Sequence, residues 1–376
     1  MYIEHLAVWD YRNFSRAELR PSPEGVTLLV GPNGSGKTNL LEAIGYVASL
    51  RSFRASPTPS LVRAGCQQGL VSVAARQEGR ALQLEAEVLL SGRGRLRLNR
   101  QAVARPEDFV GALLVTVFSP DDIELVKGGP QARRDYLDAM LVALWPKLAV
   151  VAANLERALR QRNALLRSAG GVLRPGMEGV LDVWDDKVAE AGEVVAAARE
   201  RLVGALVPEV EAAYGELGGR DSVRLHYERS WDGGLLDALR RSRAVDLRRG
   251  VTGVGPQRDE LQLSLDGLTA RVQASQGQQR SLALALRLGG HALVTRRHGT
   301  APVLLLDDVF SELDRRRSVA LADCLPPGQV LLTTAGPVPA ELSVRAAAEV
   351  RAGSVLLPPP DGADGAKGSE GPLNGA

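Results

Sequence analysis

Eight consecutive residues, Gly31-Pro32-Asn33-Gly34-Ser35-Gly36-Lys37-Thr38, narrow the folds open to this chain more than any other stretch. They follow a β-rich run, Val26 to Val30, and precede helical spacing from Asn39 to Leu50, so the order is strand, glycine-rich loop, helix. That is the Walker A pattern in the context it requires. Its glycines let backbone N–H groups wrap phosphate oxygens, and the following helix turns the positive end of its dipole toward them. Lys37 is expected on the β- and γ-phosphates and the Thr38 hydroxyl on Mg²⁺, with Asn39 closing the binding stretch. A mixed α/β chain that takes ATP is the expectation.

Val303-Leu304-Leu305-Leu306-Asp307-Asp308 reads as a buried parallel strand ending in two carboxylates, the Walker B arrangement. Asp307 is expected to hold the metal through water, and Asp308 to orient or deprotonate an attacking water. Ser275 lies 32 residues before Asp307 and opens Ser275-Gln276-Gly277-Gln278-Gln279-Arg280. Ser275 and Gln278 have capping-box spacing, which alone marks a helix start. The same residues fit an ABC-type signature loop, in which Ser275, Gly277 and Gln278 would grip the γ-phosphate held by a second copy; the two readings are compatible. Ser311-Glu312-Leu313-Asp314 fits a D-loop or a plain helix cap.

The chain has 376 residues, enough for two lobes, and a globular composition of 45% hydrophobic and 24% charged residues. Residues 70 to 118 alternate apolar and polar positions, with turns at Ser91-Gly92 and Asn99-Arg100, which predicts antiparallel hairpins. Ala132 to about Val203 changes to Ala, Leu, Arg and Glu with helical spacing, broken at Gly170-Gly171 and Arg174-Pro175-Gly176. A helix of about 40 residues spans only about 60 Å, so this insertion is too short for a long coiled-coil arm. The expected partition is 1–128 and 251–352 as the two halves of a head, 129–250 as a mainly helical insertion, and 353–376 as a flexible tail. Only Cys66 and Cys324 occur, without a metal-ligand cluster, and no leader or long uncharged apolar run is evident, so a reducing cytoplasm is expected and a membrane is not.

Pro120-Asp121-Asp122-Ile123-Glu124-Leu125-Val126-Lys127-Gly128-Gly129-Pro130-Gln131-Ala132-Arg133-Arg134-Asp135-Tyr136-Leu137-Asp138 resembles the RecF family pattern throughout, and Gln161-Arg162-Asn163 and Asp307 to Asp314 are similar to further motifs of that family. The resemblance runs from Tyr2 to about Leu357. It implies an α/β, ABC/SMC-type ATPase head, a P-loop parallel sheet plus an antiparallel β subdomain, with an inserted helical lobe. It further implies a weak, DNA-stimulated ATPase that dimerises on ATP, loads RecA at single-strand gaps and duplex junctions, and has RecO and RecR as partners. SMC heads carry an ATP-sensing arginine where Arg54 stands, which suggests a residue acting in trans. The chain departs from the pattern at Gln257 and Glu260, where the family usually has histidine and aspartate. It also has Thr333-Thr334 where ABC transporters have a histidine, which implies slow hydrolysis. A transporter ATPase subunit and an SMC-like tether are the rival readings.

Lys plus Arg total 46 against 44 acidic residues, a net charge of +2, so DNA must be met by local patches. Arg93, Arg95 and Arg97 alternate along a predicted strand and form either a phosphate-facing row or an ordinary solvated face. Arg133, Arg134 and the cluster Arg240, Arg241, Arg243, Arg248 and Arg249 are the other candidates, each read either as a DNA contact or as an ordinary charged helix surface. Aromatics are only 4%, which disfavours recognition through base-stacking platforms and favours salt-sensitive backbone binding.

Overall fold

The computed structural model describes residues 1–54, 56–172, 174–351 and 353–356. The expected tail lies almost entirely outside them. The first third of the chain forms β1 (Tyr2–Tyr11), β2 (Phe14–Leu19), β3 (Gly25–Val30), α1 (Lys37–Ser49), β4 (Gln68–Gln77), β5 (Arg80–Leu89), β6 (Leu96–Leu98), β7 (Gln101–Val103) and β8 (Val115–Phe118). The middle is mainly helical: α2 (Glu124–Lys127), α3 (Pro130–Leu144), α4 (Leu148–Ala169), α5 (Met177–Glu216), β9 (Val223–Glu228) and α6 (Leu235–Arg249). The remainder comprises β10 (Glu260–Leu265), β11 (Leu268–Thr269), α7 (Ala270–Gln273), α8 (Gln276–His298), β12 (Val303–Asp307), α9 (Arg315–Asp323), β13 (Gln329–Thr334), β14 (Val344–Arg351) and β15 (Ser354–Leu356).

Among the described residues these strands make three sheets. The central one has the order β15-β14-β3-β13-β12-β8, parallel except for β15. The second, β2-β1-β4-β5-β6-β7, is antiparallel, and β11-β10-β9 forms the third. The predicted turn at Asn99-Arg100 is present, with φ of 50° and 69°, the pair of positive values that a tight hairpin turn demands. The long hairpin of β1 and β2, which the sequence reading did not identify, adds an edge to the antiparallel sheet.

The period-two pattern of the central strands explains why β12 is buried at every position. Leu304, Leu306, Val330 and Leu332 face one core with α3, α5 and α8, whereas Val303, Leu305 and Leu331 face another with α1 and the antiparallel sheet. A strand covered on both faces has no polar side to show. The helical segment shares the first core: Leu202, Leu206 and Val210 of α5 pack with Leu282 and Leu286 of α8. Gly289 permits this approach, because a Cβ there would lie 2.9 Å from the backbone nitrogen of Val210.

The helices break near the expected glycines, with α4 ending at Ala169 and α5 starting at Met177. α5 is a single helix of 40 residues. The mainly helical 129–250 stretch also contains β9, whose Val223, Leu225 and Tyr227 are buried and whose whole length pairs with β10. The insertion is therefore tied to the later part of the chain by a sheet as well as by helix packing.

Candidate functional site

Parallel strands present their carboxyl ends to ligands, and three of them converge here. The register pairs Val30 of β3 with Thr334 of β13, and Thr333 of β13 with Asp307 of β12. The loop Gly31 to Gly36 leaves β3 and enters α1 at Lys37. Gly36 has φ 115°, and a Cβ there would lie 2.6 Å from the Phe14 ring, so both conformation and space require glycine.

Lys37 is buried and donates from Nζ to the carbonyls of Gly31 at 2.7 Å and Pro32 at 3.0 Å, folding back over the loop. Burial holds its ammonium below the ordinary lysine range, opposed by the charges of Asp308 and Asp307. Thr38 Oγ1 donates to Asp307 Oδ1 at 2.7 Å, and Thr333 Oγ1 donates to the same oxygen at 2.7 Å. Burial raises the Asp307 carboxyl, while the two hydroxyls work in the other direction. Asp308 follows in the left-handed region at φ 46°, with its N–H on Thr333 Oγ1 at 3.0 Å. Thr333 thus ties the Asp307 carboxylate and the Asp308 backbone to the neighbouring strand, at the position where ABC transporters have a histidine.

The residues fit a nucleoside triphosphate and Mg²⁺. Ser35 Oγ is buried inside the loop without a hydrogen-bond partner among the described residues, an acceptor and donor left over for a phosphate. A hydroxyl plus one carboxylate is the sparse donor set of an ion that keeps its waters and takes other ligands from phosphates.

The sequence reading missed Arg12 and Asn13, in the β1–β2 turn. Asn13 Nδ2 donates to Ser35 O at 2.9 Å and its Oδ1 accepts from Asn39 at 2.8 Å, so it clamps the loop to α1. Arg12 makes a bidentate bridge, at 2.6 and 2.7 Å, to Glu42, which is buried in α1. The only local signal was an Arg-Asn pair between Tyr11 and Phe14, which marks a hairpin turn but not its partner. Arg54 Nη1 donates to Asn39 Oδ1 of its own chain at 3.2 Å. In the single copy Arg54, the residue expected to act in trans, borders its own chain's loop.

Ser275 caps α8 as expected, accepting from the Gln278 N–H while Gln278 Oε1 accepts from the Ser275 N–H at 2.9 Å. Arg317 of α9 lies over the signature glycine, 2.9 Å from where a Gly277 Cβ would be, and bonds Ser281 Oγ at 2.9 Å. Arg280 pairs with Glu312, and Asp314 caps α9, so the signature and D-loop segments are held together. Among the described residues, Lys37, Thr38 and Asn39 share no hydrogen bond with Ser275, Gly277 or Gln278. A short connection between α8 and β12 makes them antiparallel neighbours, so the α8 N-terminus points out at the carboxyl edge of the sheet, where the Walker residues also lie.

The arginines considered for DNA divide. Arg93, Arg95 and Arg97 are exposed and alternate with less exposed neighbours as expected, although only Leu96–Leu98 is strand. Arg95 and Arg97 share a cleft of about 250 Å³ with Trp9, Glu85 and Glu87, and Arg97 pairs with Glu85 at 3.3 Å. Arg133 is corrected: it is buried, bidentate to Glu260 at 2.8 and 2.9 Å, and bonded to the carbonyls of Leu125 and Gly128. Glu260 thus has a definite task despite departing from the family pattern. Arg134 is half-buried on the carbonyl of Asp259 at 2.8 Å. Arg240, Arg241, Arg248 and Arg249 are exposed on α6, whereas Arg243 is tied to Asp182 and Asp185. Arg162 is fully buried and bridges Asp185 at 2.6 Å and Asp246 at 2.8 Å, joining α4, α5 and α6.

Comparison with known proteins agrees with this geometry. Residues 2–334 match the family described as RecF/RecN/SMC N terminal domain. The DNA replication and repair protein RecF of Acidothermus cellulolyticus is 44% identical, over 89% of this chain and 93% of its own length. That of Streptomyces avermitilis is 42% identical with the same coverage, and that of Frankia alni is 43% identical over 91% of this chain and 96% of its own. A solved structure of the recombination mediator protein RecF with ATP, in the RecFOR pathway, superposes with a TM-score of 0.87 at 28% identity, covering 95% of this chain and 98% of that one. The Smc head domain of Pyrococcus furiosus, at 17% identity and a TM-score of 0.55, shares the fold.

Proposed function

Because this chain belongs to the RecF family of DNA replication and repair proteins, we propose that it is an ATP-switched DNA-binding recombination mediator. The observation that carries the reading is the meeting of Thr38 and Asp307, 269 residues apart in the chain, at 2.7 Å. In the ATP complex Lys37 exchanges the Gly31 and Pro32 carbonyls for phosphate oxygens, and Ser35 and the first N–H groups of α1 hold the remainder. Thr38 and Asp307 are the residues that would hold Mg²⁺. When bound, the ion offsets the charge that develops on the transferred phosphoryl group. Asp308, half-buried and next to the buried Asp307, orients the attacking water and takes its proton. Thr333 provides no imidazole for the γ-phosphate, which supports a slow ATPase acting as a switch.

The exposed signature serine supports ATP-dependent homodimerisation, with Ser275, Gly277 and Gln278 of each copy completing the other's site. The dimer is proposed to hold single-stranded, double-stranded and junction DNA through Arg93, Arg95 and Arg97 and the exposed arginines of α6. DNA stimulates turnover, and the complex acts with RecO and RecR to load RecA in the cytoplasm. Residues 1–128 and 251–352 act as the two halves of the ATPase head and 129–250 as its lobe.

Binding of labelled ATP and release of phosphate test this reading. Lys37→Met removes the cation that meets the phosphates and is expected to abolish ATP binding. Asp308→Asn is expected to bind ATP normally with turnover reduced about 10²-fold or more. Ordinary turnover in both variants would overturn the assignment.

A further inference from the structure

The signature glutamine does more than close its capping box. Gln278 Oε1 faces the Ser275 N–H, and its Nε2 donates at 3.0 Å to Asp221 Oδ1, in the loop that leaves α5. The other Asp221 oxygen accepts at 2.7 Å from Tyr214 Oη, on the last turn of α5. A carboxylate only accepts, so it dictates which way the Gln278 amide turns: the NH₂ must face Asp221, and the oxygen is then left for Ser275. Reversing that amide would place a donor against the Ser275 N–H and break the box.

The loop is itself fixed. Tyr214 is buried, and Gly219 wraps so closely around its ring that a Cβ there would lie 2.2 Å from Cε1. On the far side, Arg316 of α9, two residues past Asp314, donates to Gly218 O at 3.4 Å. The end of the long helix, the signature loop and the helix after the D-loop therefore meet at residues 214 to 221.

We propose that Asp221 is a positioning residue for the signature loop, so that the end of α5 sets how Ser275 is presented to the nucleotide of a second copy. The inference rests on the proposed role of Ser275 in the partner's site and adds a route by which movement of the helical lobe alters ATP turnover. Tyr214, Asp221 and Gln278 form the route, each through a hydrogen bond to the next. Among the described residues none of Tyr214, Asp221 or Arg316 hydrogen-bonds Lys37, Thr38 or Asp307, so the hydrogen bonds of the chain's own phosphate grip do not run through this route.

Asp221→Leu in the full chain tests this beside Ser275→Arg. ATP affinity of the single chain should stay at the wild-type level, while kcat and ATP-dependent dimerisation fall about tenfold or more, the size of losing a hydrogen bond to a charged group. KM for ATP should change little. Asp221→Asn, whose oxygen still accepts from Gln278, should recover most of the loss, which a general loss of packing would not do. Tyr214→Phe keeps the ring against Gly219 and removes only the hydroxyl; it should lower kcat severalfold, and it serves if Asp221→Leu does not fold. Wild-type kcat in Asp221→Leu or in Tyr214→Phe, with Ser275→Arg defective, overturns the proposal alone. Normal dimerisation of Ser275→Arg removes the reading beneath it.

Discussion

Two adjacent carboxylates at the end of β12 differ because their surroundings differ. Asp307 is buried and bound by two hydroxyls, whereas Asp308 turns out of the strand into a left-handed conformation and stays half-buried. The difference suits the proposed division, in which Asp307 holds the metal and Asp308 acts on water. These residues were readable from sequence because phosphate and metal chemistry fixes their type and spacing. Asn13 was not, since its contacts with Ser35 and Asn39 are 22 and 26 residues away and exist only once the hairpin folds onto the loop. His291 of α8 shows what such burial costs. It is 2% exposed, its ring is bonded among the described residues only to Thr116 at 3.1 Å, and burial lowers its pKa to about 4. Its stabilising contribution is complete above the unfolded pKa near 6.5 and is lost as pH falls toward 4, because the unfolded chain takes up the proton first. At pH 5 that amounts to about 2 kcal/mol. Urea unfolding of wild type and His291→Gln at pH 7 and pH 5 should show the smaller pH dependence in the variant; equal dependence would contradict the assignment.

At the scale of elements, the long helices and the hairpins of β5 to β7 were legible, whereas the β1–β2 hairpin and a lone strand were not. The turn residues of β5 to β7 and the glycines between α4 and α5 mark their boundaries locally. β9 has clean alternation, with Val223, Leu225 and Tyr227 buried and Arg224, His226 and Glu228 exposed, but it is six residues long and sits between helices. Its partner β10 begins at Glu260, so the reason it is a strand lies far along the chain. The same distance hides the purpose of Arg162, whose acids are 23 and 84 residues away. Asp185 would keep Arg243, but Asp246, buried with Arg162, has no other ion-pair partner among the described residues. Arg162→Met should therefore destabilise the protein by about 3–5 kcal/mol, the range for an uncompensated buried charge, seen as a lower urea midpoint. A midpoint within error of wild type would show that α4, α5 and α6 do not depend on this bridge.

For the molecule as a whole, the central claim is that a single chain carries both halves of an ATP site without joining them. The P-loop and signature helix both reach the carboxyl edge of the parallel sheet, and neither bonds the other. A two-fold pair of such surfaces uses each interface twice and encloses two nucleotides. In the proposed pair two modest basic faces would stand side by side, which would let a chain of net charge +2 hold a polyanion. The shared edge was readable only in part from sequence, because the motifs name the two halves while the sheet order places them at one edge. Sedimentation of the Asp308→Asn protein, with and without ATP and DNA, tests it most directly when compared with the same protein carrying Ser275→Arg. The account predicts a monomer or weak dimer without nucleotide, a tight dimer with ATP and DNA, and a Ser275→Arg form that binds ATP yet stays monomeric. A Ser275→Arg form that dimerises as well as its parent would contradict it.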